Sequence, residues 1–354
     1  MQRVVVKIGT ESLTCGGKYI DPLMIDKLAA ETAECAQSGT QLLIVTSGAA
    51  AMGRTQLKSH AKLKKTTIAA VGQAGLMGLY DHAFSRYSLP IAQILVDHDT
   101  LNNKEIFLAF QDTLQEMCAA GIVPIINEND ALTTGTTIAF GNNDALSGKI
   151  ALSARADGLI ILSHVAGLYD ADPAKNPRAR LIRRVTDVNR ELIKLCSKET
   201  SAQGTGGMIA KLNTARLTTA CGIYTVVARM DEPQILPRLI AGEEIGTVFE
   251  PRSHAYQLKN RDRWILSAKI SSGFVVVDDG AVSALKKGKS LLAVGIKKSF
   301  GTFKPKQIIE VLNTARETIA IGIVNMSEQT LVKCLESADT YNQEVIHTDN
   351  MIVL

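Results

Sequence analysis

The stretch that decides the fold is Arg3–Ile8, which reads RVVVKI and is followed at once by Gly9 and Thr10. Three valines and an isoleucine make it a β-branched run of strand length. Asp21 and Pro22 then supply a helix N-cap and a proline at the first helical position. Gly39 is placed to end that helix, and a second apolar run follows at Gln41–Thr46. Buried strands alternating with helices predict a parallel sheet that is covered on both faces.

The same alternation continues along the chain. Further helices are predicted over about 66–86, 104–119 and 208–220, and further strands at Ile91–Val96, Ile122–Asn127, Gly158–Ser163 and Ile223–Ala228. The fold class is therefore α/β, with a mainly parallel open sheet sandwiched by helices. In such sheets ligands bind beyond the carboxyl ends of the strands.

The length of 354 residues suggests about two domains. After about residue 247 the pattern changes to short strands, Phe274–Val277, Ile308–Leu312 and Ile319–Val324, separated by short helices and by glycine and lysine clusters. We therefore expect a first domain over 1–250, a linker over 251–260 and a small mixed β domain over 261–354.

Composition excludes several classes of protein. The 46% hydrophobic and 21% charged content is that of a globular chain rather than a disordered one. No run approaches 18 apolar residues, and the six cysteines show no CxxC spacing. We expect a strand to begin at Arg3 with no signal peptide before it. Reduced thiols and a cytoplasmic location are expected. Residues 251–354 hold 14 basic and 10 acidic side chains, whereas residues 1–250 hold 25 of each.

Five loops near predicted strand ends or helix starts together supply lysines, carboxylates, amides and glycine-rich turns, suited to phosphate and, at Asn127–Asp130, to an amine or polar substrate. They are Lys7–Thr10, Val45–Ala50, Asn127–Asp130, Gly141–Asp144 and Gly204–Lys211. Each also has a structural interpretation, such as a solvated Lys7, N-capping by Ser47 or helix capping by Asp144. The GxxxxGK[ST], GxGxxG, GxSxG and HxxxH patterns are absent. Lysines with glycine-rich turns fit phosphoryl transfer better than hydrolysis or redox chemistry.

In this order the loops resemble the amino-acid kinase family, and within it the branch that phosphorylates glutamate. The motifs are Val6–Thr10, Ile44–Ala49, Ala69–Gln73, Ile125–Asp130, Gly167–Pro173 and Gly204–Lys211. The tail resembles the PUA domain through Arg263–Ile265, Asp278–Ala281, Lys289–Leu292 and Gly295-Ile296.

The resemblance implies transfer of the γ-phosphoryl group of ATP to the side-chain carboxylate of L-glutamate, the first step of proline biosynthesis. It places Lys7 and Lys211 on the transferring group, with Asp144 orienting both lysines. It assigns glutamate to Ser47, Asp130 and Asn143. ATP would contact Lys7, Ser163, His164, Thr205, Gly206, Gly207, Met208 and Lys211. Mg²⁺ would be held by phosphates and water, without a metal site made by the protein alone.

The chain departs from the family pattern at four places. Ser163-His164 replaces Thr-Asp, Asn142 replaces an aspartate, and Glu11 replaces a small residue beside the phosphate-binding turn. In the tail, Gly301–Lys306 lacks a glycine that the domain usually has in an expected hairpin.

Two alternatives stay open. One is a related kinase acting on acetylglutamate, aspartate, carbamate or UMP, although such relatives generally lack a PUA domain. The other is an RNA-binding protein in which the tail dominates; a surplus of four charges and few aromatic residues give it little support. The resemblance also implies a homo-oligomer, dimer or tetramer, feedback inhibition by proline and no membrane partner.

Overall fold

A computed structural model describes residues 1–14, 17–57, 63–97, 101, 103–132, 143–173, 175–189, 192–193, 196, 207–251, 259–268, 273–336 and 342–353. The chain divides into two compact units. The first comprises residues 1–100 and 105–257, and the second comprises residues 101–104 and 258–354. The domain limits drawn from the sequence stay a prediction, and most of the expected linker, residues 252–258, lies outside the described residues.

The first unit contains an eight-stranded sheet. Its strands are β1 Arg3–Ile8, β2 Gln41–Val45, β3 Ile91–Val96, β4 Val123–Glu128, β5 Gly158–Ser163, β6 Arg184–Val185, β7 Tyr224–Arg229 and β8 Thr247–Phe249. The order is β3-β4-β2-β1-β5-β7-β8-β6. Every neighbouring pair is parallel except β7 and β8. The predicted, mainly parallel open sheet is confirmed.

The described helices of the first unit follow the predicted alternation. They are α1 Thr10–Leu13, α2 Pro22–Gln37, α3 Ala49–Leu57, α4 Lys65–Ser85, α5 Lys104–Ala119, α6 Asn143–Ser153, α7 Gly207–Ala220 and α8 Ile235–Ile240. Asp21 caps α2 by accepting a hydrogen bond from the backbone N–H of Leu23 at 3.0 Å. Gly39, at φ +83°, follows the helix in the left-handed region that glycine adopts without steric penalty.

Both faces of the central strands are buried. Val4 and Val6 of β1 point into a core that includes side chains of α2, α4 and α8. Val5 points to the opposite face and is also fully buried, as is Ile161 of β5. Burial on both sides explains why these strands are continuously apolar.

Helices α3 and α4 pack backbone against backbone at two glycines. A Cβ atom on Gly72 would lie 1.9 Å from the carbonyl oxygen of Ala49, and one on Gly53 would lie 1.9 Å from that of Ile68. No side chain fits at such distances. This contact therefore fixes α4 against the turn that follows β2.

The second unit has its own core and a five-stranded sheet ordered β11-β9-β12-β13-β15. Its strands are β9 Phe274–Val277, β10 Leu291–Leu292, β11 Ile296–Phe300, β12 Ile308–Leu312, β13 Thr318–Ile323, β14 Glu344–Ile346 and β15 Met351–Val353, with β10 and β14 forming a separate pair. Its helices are α9 Asn260–Ser267, α10 Asp279–Lys286 and α11 Glu328–Glu336. The sheet is mixed, because β9 and β12 are parallel and the other neighbours antiparallel.

The structure forms no hairpin at Gly301–Lys306, where the chain lacks the glycine that the domain usually has in this turn. Strand β9 lies between β11 and β12, so the segment crosses to a non-adjacent strand instead of folding back. Lys306 adopts φ +69° in this segment, a left-handed conformation that glycine takes more readily.

Other boundaries differ from the sequence expectations by one residue. Strand β2 ends at Val45, β4 covers Val123–Glu128, β7 covers Tyr224–Arg229 and β13 covers Thr318–Ile323. Among the helices that the structure describes, none is long and apolar enough to cross a membrane.

Candidate active site

Polar side chains gather where four adjacent parallel strands end. The strands β4, β2, β1 and β5 are consecutive in the sheet, and their carboxyl ends lie at one edge. Lys7 lies in β1, Ser47 follows β2, Asp130 follows β4, and Ser163 ends β5. Helices α6 and α7 add Asn143, Asp144 and Lys211. This is the edge at which parallel sheets bind ligands.

A buried carboxylate joins two lysines at this edge. The Lys7 Nζ lies 2.5 Å from Asp144 Oδ1, and the Lys211 Nζ lies 3.1 Å from Asp144 Oδ2. Lys7, Asp144 and Lys211 are only 6, 1 and 8% exposed. Asp144 therefore lies inside α6 as a bridge between two cations, rather than capping the helix from outside.

The environment shifts the pKa values of this group. Burial holds the pKa of Lys7 below its ordinary value, and the charge of Lys211 lowers it further, although Asp144 opposes both effects. For Asp144, burial alone would raise the pKa, but Lys7 and Lys211 outweigh it and the pKa lies below its ordinary value. The carboxylate is thus ionised at neutral pH.

The start of α7 is described only from Gly207 onward. Gly207 is exposed and Met208 is half-buried, and the Lys211 Nζ also lies 3.4 Å from the carbonyl oxygen of Gly207. Thr205 and Gly206, expected to contact ATP, lie outside the described residues, as does Asn142.

Ser47 and Asn143 connect the strand ends to one another. The Ser47 hydroxyl donates to the carbonyl oxygen of Ile8 at 2.7 Å. The Asn143 amide nitrogen donates to the carbonyl oxygen of Thr46 at 2.6 Å and to Asn127 Oδ1 at 2.9 Å. Both predicted glutamate ligands therefore lie in the hydrogen-bond framework of the turn after β2.

Asp130 begins a 3-10 turn, Asp130–Leu132, directly after β4. Burial raises the pKa of this half-buried carboxyl group, and the positive charge of Lys65 on α4 partly opposes the shift. A carboxylate in this environment gains from a cationic partner, because a positive charge offsets its lost hydration.

The structure brings two of the departures from the family pattern together. The side chains of Glu11 in α1 and His164 after β5 are in contact, with 2.6 Å between Oε2 and Nδ1. Their side chains are 72 and 58% exposed. Ser163 beside them is buried, and its carbonyl oxygen accepts a hydrogen bond from the backbone N–H of Met230 at 3.0 Å.

The site list drawn from the sequence missed Gln73 and Asn127. The Asn127 amide nitrogen donates to Gln73 Oε1 at 2.9 Å, and both residues are buried. A signal was present: Gln73 is a polar residue on the helix face that also carries Ala69, Leu76 and Tyr80. Such a residue needs a partner, although the sequence does not say which.

Two buried ammonium groups held by one carboxylate can stabilise negative charge in a protected site. Among the described residues, no group of three or more histidine, cysteine, aspartate or glutamate side chains could hold a metal ion. The geometry thus favours chemistry on an anionic substrate through fixed cations.

Comparisons with known proteins agree with this geometry. Residues 2–229 match the profile of the amino acid kinase family, and residues 273–341 match the PUA domain. Glutamate 5-kinase from Geobacter sulfurreducens is 36% identical, covering 100% of this chain and 98% of the relative. Glutamate 5-kinase from Herpetosiphon aurantiacus is 38% identical over 99% of this chain and 98% of the relative.

Among solved structures, UMP kinase from Ureaplasma parvum matches with a TM-score of 0.50 and 17% identity, over 70% of this chain and 98% of that one. This match concerns the fold alone. The full-length sequence relatives and the profile match over the first unit go further: the chain belongs to the amino acid kinase family and carries a C-terminal PUA domain.

Proposed function

We propose that this protein is an ATP-dependent kinase that phosphorylates the side-chain carboxylate of L-glutamate, yielding glutamate 5-phosphate for proline biosynthesis. The full-length relatives named glutamate 5-kinase support the choice of substrate. The observation that carries the chemistry is the buried group formed by Lys7, Asp144 and Lys211.

Charge explains why this group suits the reaction. A carboxylate nucleophile and a phosphoryl group are both anionic, so their mutual repulsion is the main obstacle to the reaction. Lys7 and Lys211 offset that charge, and Asp144 keeps the two ammonium groups in place against their own repulsion. A general base is unnecessary, because a carboxylate is already ionised at neutral pH.

We assign glutamate to Ser47, Asp130 and Asn143. Asp130 suits the ammonium group of the substrate, because a cation offsets the lost hydration that raises the pKa of this carboxyl group. Ser47 and Asn143 fix the turn after β2, against which the amino acid would lie.

We assign ATP to Lys7, Ser163, His164, Gly207, Met208 and Lys211, together with Thr205 and Gly206 outside the described residues. Mg²⁺ enters with the nucleotide and neutralises phosphate charge. Asp144 fits a lysine-positioning role better than metal ligation, because both of its oxygens already contact ammonium groups.

The proposed setting follows from the same assignment. The enzyme would work in the cytoplasm, where ATP is available. It would form a dimer or tetramer, and proline would act as a feedback inhibitor that competes with glutamate. Size measurement in solution and glutamate saturation curves with added proline test these two proposals.

The test is a coupled assay of ADP release with Mg²⁺-ATP and a panel of acceptors: glutamate, aspartate, acetylglutamate, carbamate and UMP. We expect turnover with glutamate alone. Lys211→Ala should reduce kcat by at least about 100-fold, as expected when a preorganised charge is removed from a transition state. Lys175→Ala removes an exposed lysine and serves as the control. Absence of glutamate-dependent turnover overturns the function, and normal rates in Lys211→Ala overturn the site.

A further inference from the structure

Three amide side chains form a chain of hydrogen bonds behind the proposed glutamate site. Asn143 Nδ2 donates to Asn127 Oδ1 at 2.9 Å, and Asn127 Nδ2 donates to Gln73 Oε1 at 2.9 Å. The residues come from α6, β4 and α4, and Gln73 and Asn127 are only 9 and 2% exposed. This amide relay, Gln73–Asn127–Asn143, therefore connects helix α4 to a proposed substrate residue.

Backbone groups fix the direction of the amide relay. The N–H of Glu128, which can only donate, donates to Asn127 Oδ1 at 2.9 Å. The oxygen of the Asn127 side chain therefore faces that N–H, and its nitrogen faces Gln73. At the other end, the carbonyl oxygen of Thr46 can only accept, so it holds the nitrogen of Asn143. A flipped Asn127 would place a donor against a donor.

The direction of these hydrogen bonds determines which atom of the Asn143 amide can contact a ligand. Its nitrogen is taken by Thr46 and Asn127, which leaves Oδ1 as the group that can accept a hydrogen bond from a ligand. A substrate ammonium group is a donor of the required kind. An amide side chain can donate or accept a hydrogen bond, and within the relay Asn143 can only accept one from a ligand.

Gln73 is well placed to act as the fixed end of the relay. It follows Gly72, whose close packing against the Ala49 carbonyl fixes this part of α4. Among the described residues its Nε2 has no hydrogen-bond partner, so Oε1 is the atom through which the buried amide is held. Replacing it with an apolar side chain would leave Asn127 Nδ2 as a buried donor without its acceptor.

We propose that Gln73 is a positioning residue for amino-acid recognition: by accepting a hydrogen bond from Asn127 Nδ2 it holds the Asn127 side chain in place against Asn143, whose oxygen the Thr46 contact leaves available to the substrate ammonium group. The inference rests on the proposed phosphorylation of glutamate. It predicts an effect on glutamate that ATP does not share, because Lys7 and Lys211 are held by Asp144 and not by the relay.

The test compares Gln73→Leu and Gln73→Met, which remove the amide, with Gln73→Glu, which keeps an oxygen for Asn127. Gln111→Leu is the matched control, because it removes another buried amide that donates to the carbonyl oxygen of Ser153 at 3.1 Å, at the far end of α6 from Asn143. Initial rates are measured in the full-length protein against glutamate and against ATP, with thermal unfolding of every variant.

We expect the apolar variants to raise the KM for glutamate about tenfold, the scale set by losing one hydrogen bond. The KM for ATP should change less than about twofold. Gln73→Glu should recover most of the glutamate affinity, and Gln111→Leu should lower stability alone. An unchanged KM for glutamate in whichever apolar variant folds, or an equal rise in both KM values, overturns the inference.

A double variant separates the relay from a general packing effect. In an Asn143→Ala background, Gln73→Leu should add no further rise in the KM for glutamate, because the residue through which it acts is gone. A full additional rise overturns the relay even if the single variant behaves as expected. A wild-type enzyme without glutamate turnover removes the proposed function and the inference with it, whereas an active wild type with insensitive Gln73 variants removes the inference alone.

Discussion

Asp144 is the residue on which the charge arrangement depends. Asp144→Asn keeps the shape of the side chain but removes the charge that holds Lys7 and Lys211. The two lysines then repel each other, and the nitrogen of the new amide, a hydrogen-bond donor, faces one of the two ammonium groups, which are also donors. We expect kcat to fall by at least about 100-fold and the free energy of unfolding at pH 7 to fall by about 3 kcal/mol, the cost of breaking a buried pair. Initial rates and urea unfolding measure both effects.

The pH dependence of the same variant gives a second check. Asp144 has its pKa lowered in the folded protein, so its stabilising effect is present above pH 3.8, its ordinary value, and is lost as pH falls through the lower folded value. The wild type should therefore lose its stability advantage over Asp144→Asn in acid. Asp144 also opposes the lowering of the Lys7 pKa, so Lys7 should lose its proton at a lower pH in the variant than in the wild type. As pH is raised, the residual activity of the variant should therefore decline at a lower pH than the activity of the wild type. Identical pH profiles would contradict this account.

Glu11 and His164 test whether an exposed pair tunes the nucleotide site. The charge of Glu11 acts to raise the pKa of Lys7, against burial, so the same charge would repel a phosphate bound by Lys7. Glu11→Gln should lower the KM for ATP about two- to fivefold at low salt, with less effect at high salt, because exposed charges interact weakly and are screened. His164→Ala should raise it, because Glu11 loses its partner. Salt-independent KM values in all variants would contradict the prediction.

At the scale of elements, helix α2 is tied to the start of α8 by a buried glutamate. Glu31 Oε2 accepts a hydrogen bond from the backbone N–H of Leu236 at 3.0 Å, and Lys27 donates to the carbonyl oxygens of Met230 and Glu232. Glu31→Ala should lower the free energy of unfolding by about 1–3 kcal/mol, because it orphans a buried donor. Glu31→Gln keeps an acceptor and should cost less, since burial raises the pKa of Glu31 and so penalises its charge. Urea unfolding at pH 7 compares them; equal losses would contradict the role of the acceptor.

The elements that the sequence predicts well are those with strong local signals. Strand β1 and helix α5 match the expected limits. A run of β-branched residues predicts the strand, a glycine just after the helix predicts its end, and both signals depend only on neighbouring residues. Strands β6 and β8 were not predicted, since two and three residues carry no periodic signal. The position of β9 between β11 and β12 could not be predicted, because the pairing joins segments that are distant in the sequence.

The candidate site divides in the same way. Lys7 and Ser47 were singled out because they lie at strand ends, and Lys211 because a glycine-rich turn precedes its helix, whereas the residues alone favoured helix capping for Asp144. The family resemblance, rather than residue spacing, implied that Asp144 connects the two lysines. Gln73 was named only as the end of the motif Ala69–Gln73 and received no role, because its partner Asn127 lies 54 positions away and the contact depends on how α4 packs. The pairing of Glu11 with His164 likewise depends on β1 and β5 being neighbours.

At the scale of the whole molecule, the excess of basic residues and the proposed catalytic residues lie in different parts of the chain. The net charge of +4 arises after residue 250, whereas the proposed catalytic lysines lie in the part whose charges balance. Lys286 ends helix α10 and is exposed with Lys287 and Lys289, which favours solvated side chains at a helix end. Local placement of a few charges therefore matters more for the proposed reaction than the total.

Each of the two units has hydrophobic core residues of its own among those that the structure describes, which predicts two unfolding transitions. One core joins strands β1, β2, β4, β5 and β7 with helices of the first unit, and the other joins β9, β11, β12 and β13 with helices of the second. A ligand stabilises only the part that binds it, by about 2.7 kcal/mol at 100 times its Kd. Glutamate with Mg²⁺-ADP should therefore raise one calorimetric transition and leave the other in place, because the assigned ligand residues all belong to the first unit. Aspartate with Mg²⁺-ADP is the control. A single transition that shifts as a whole would show that the two cores unfold as one cooperative structure.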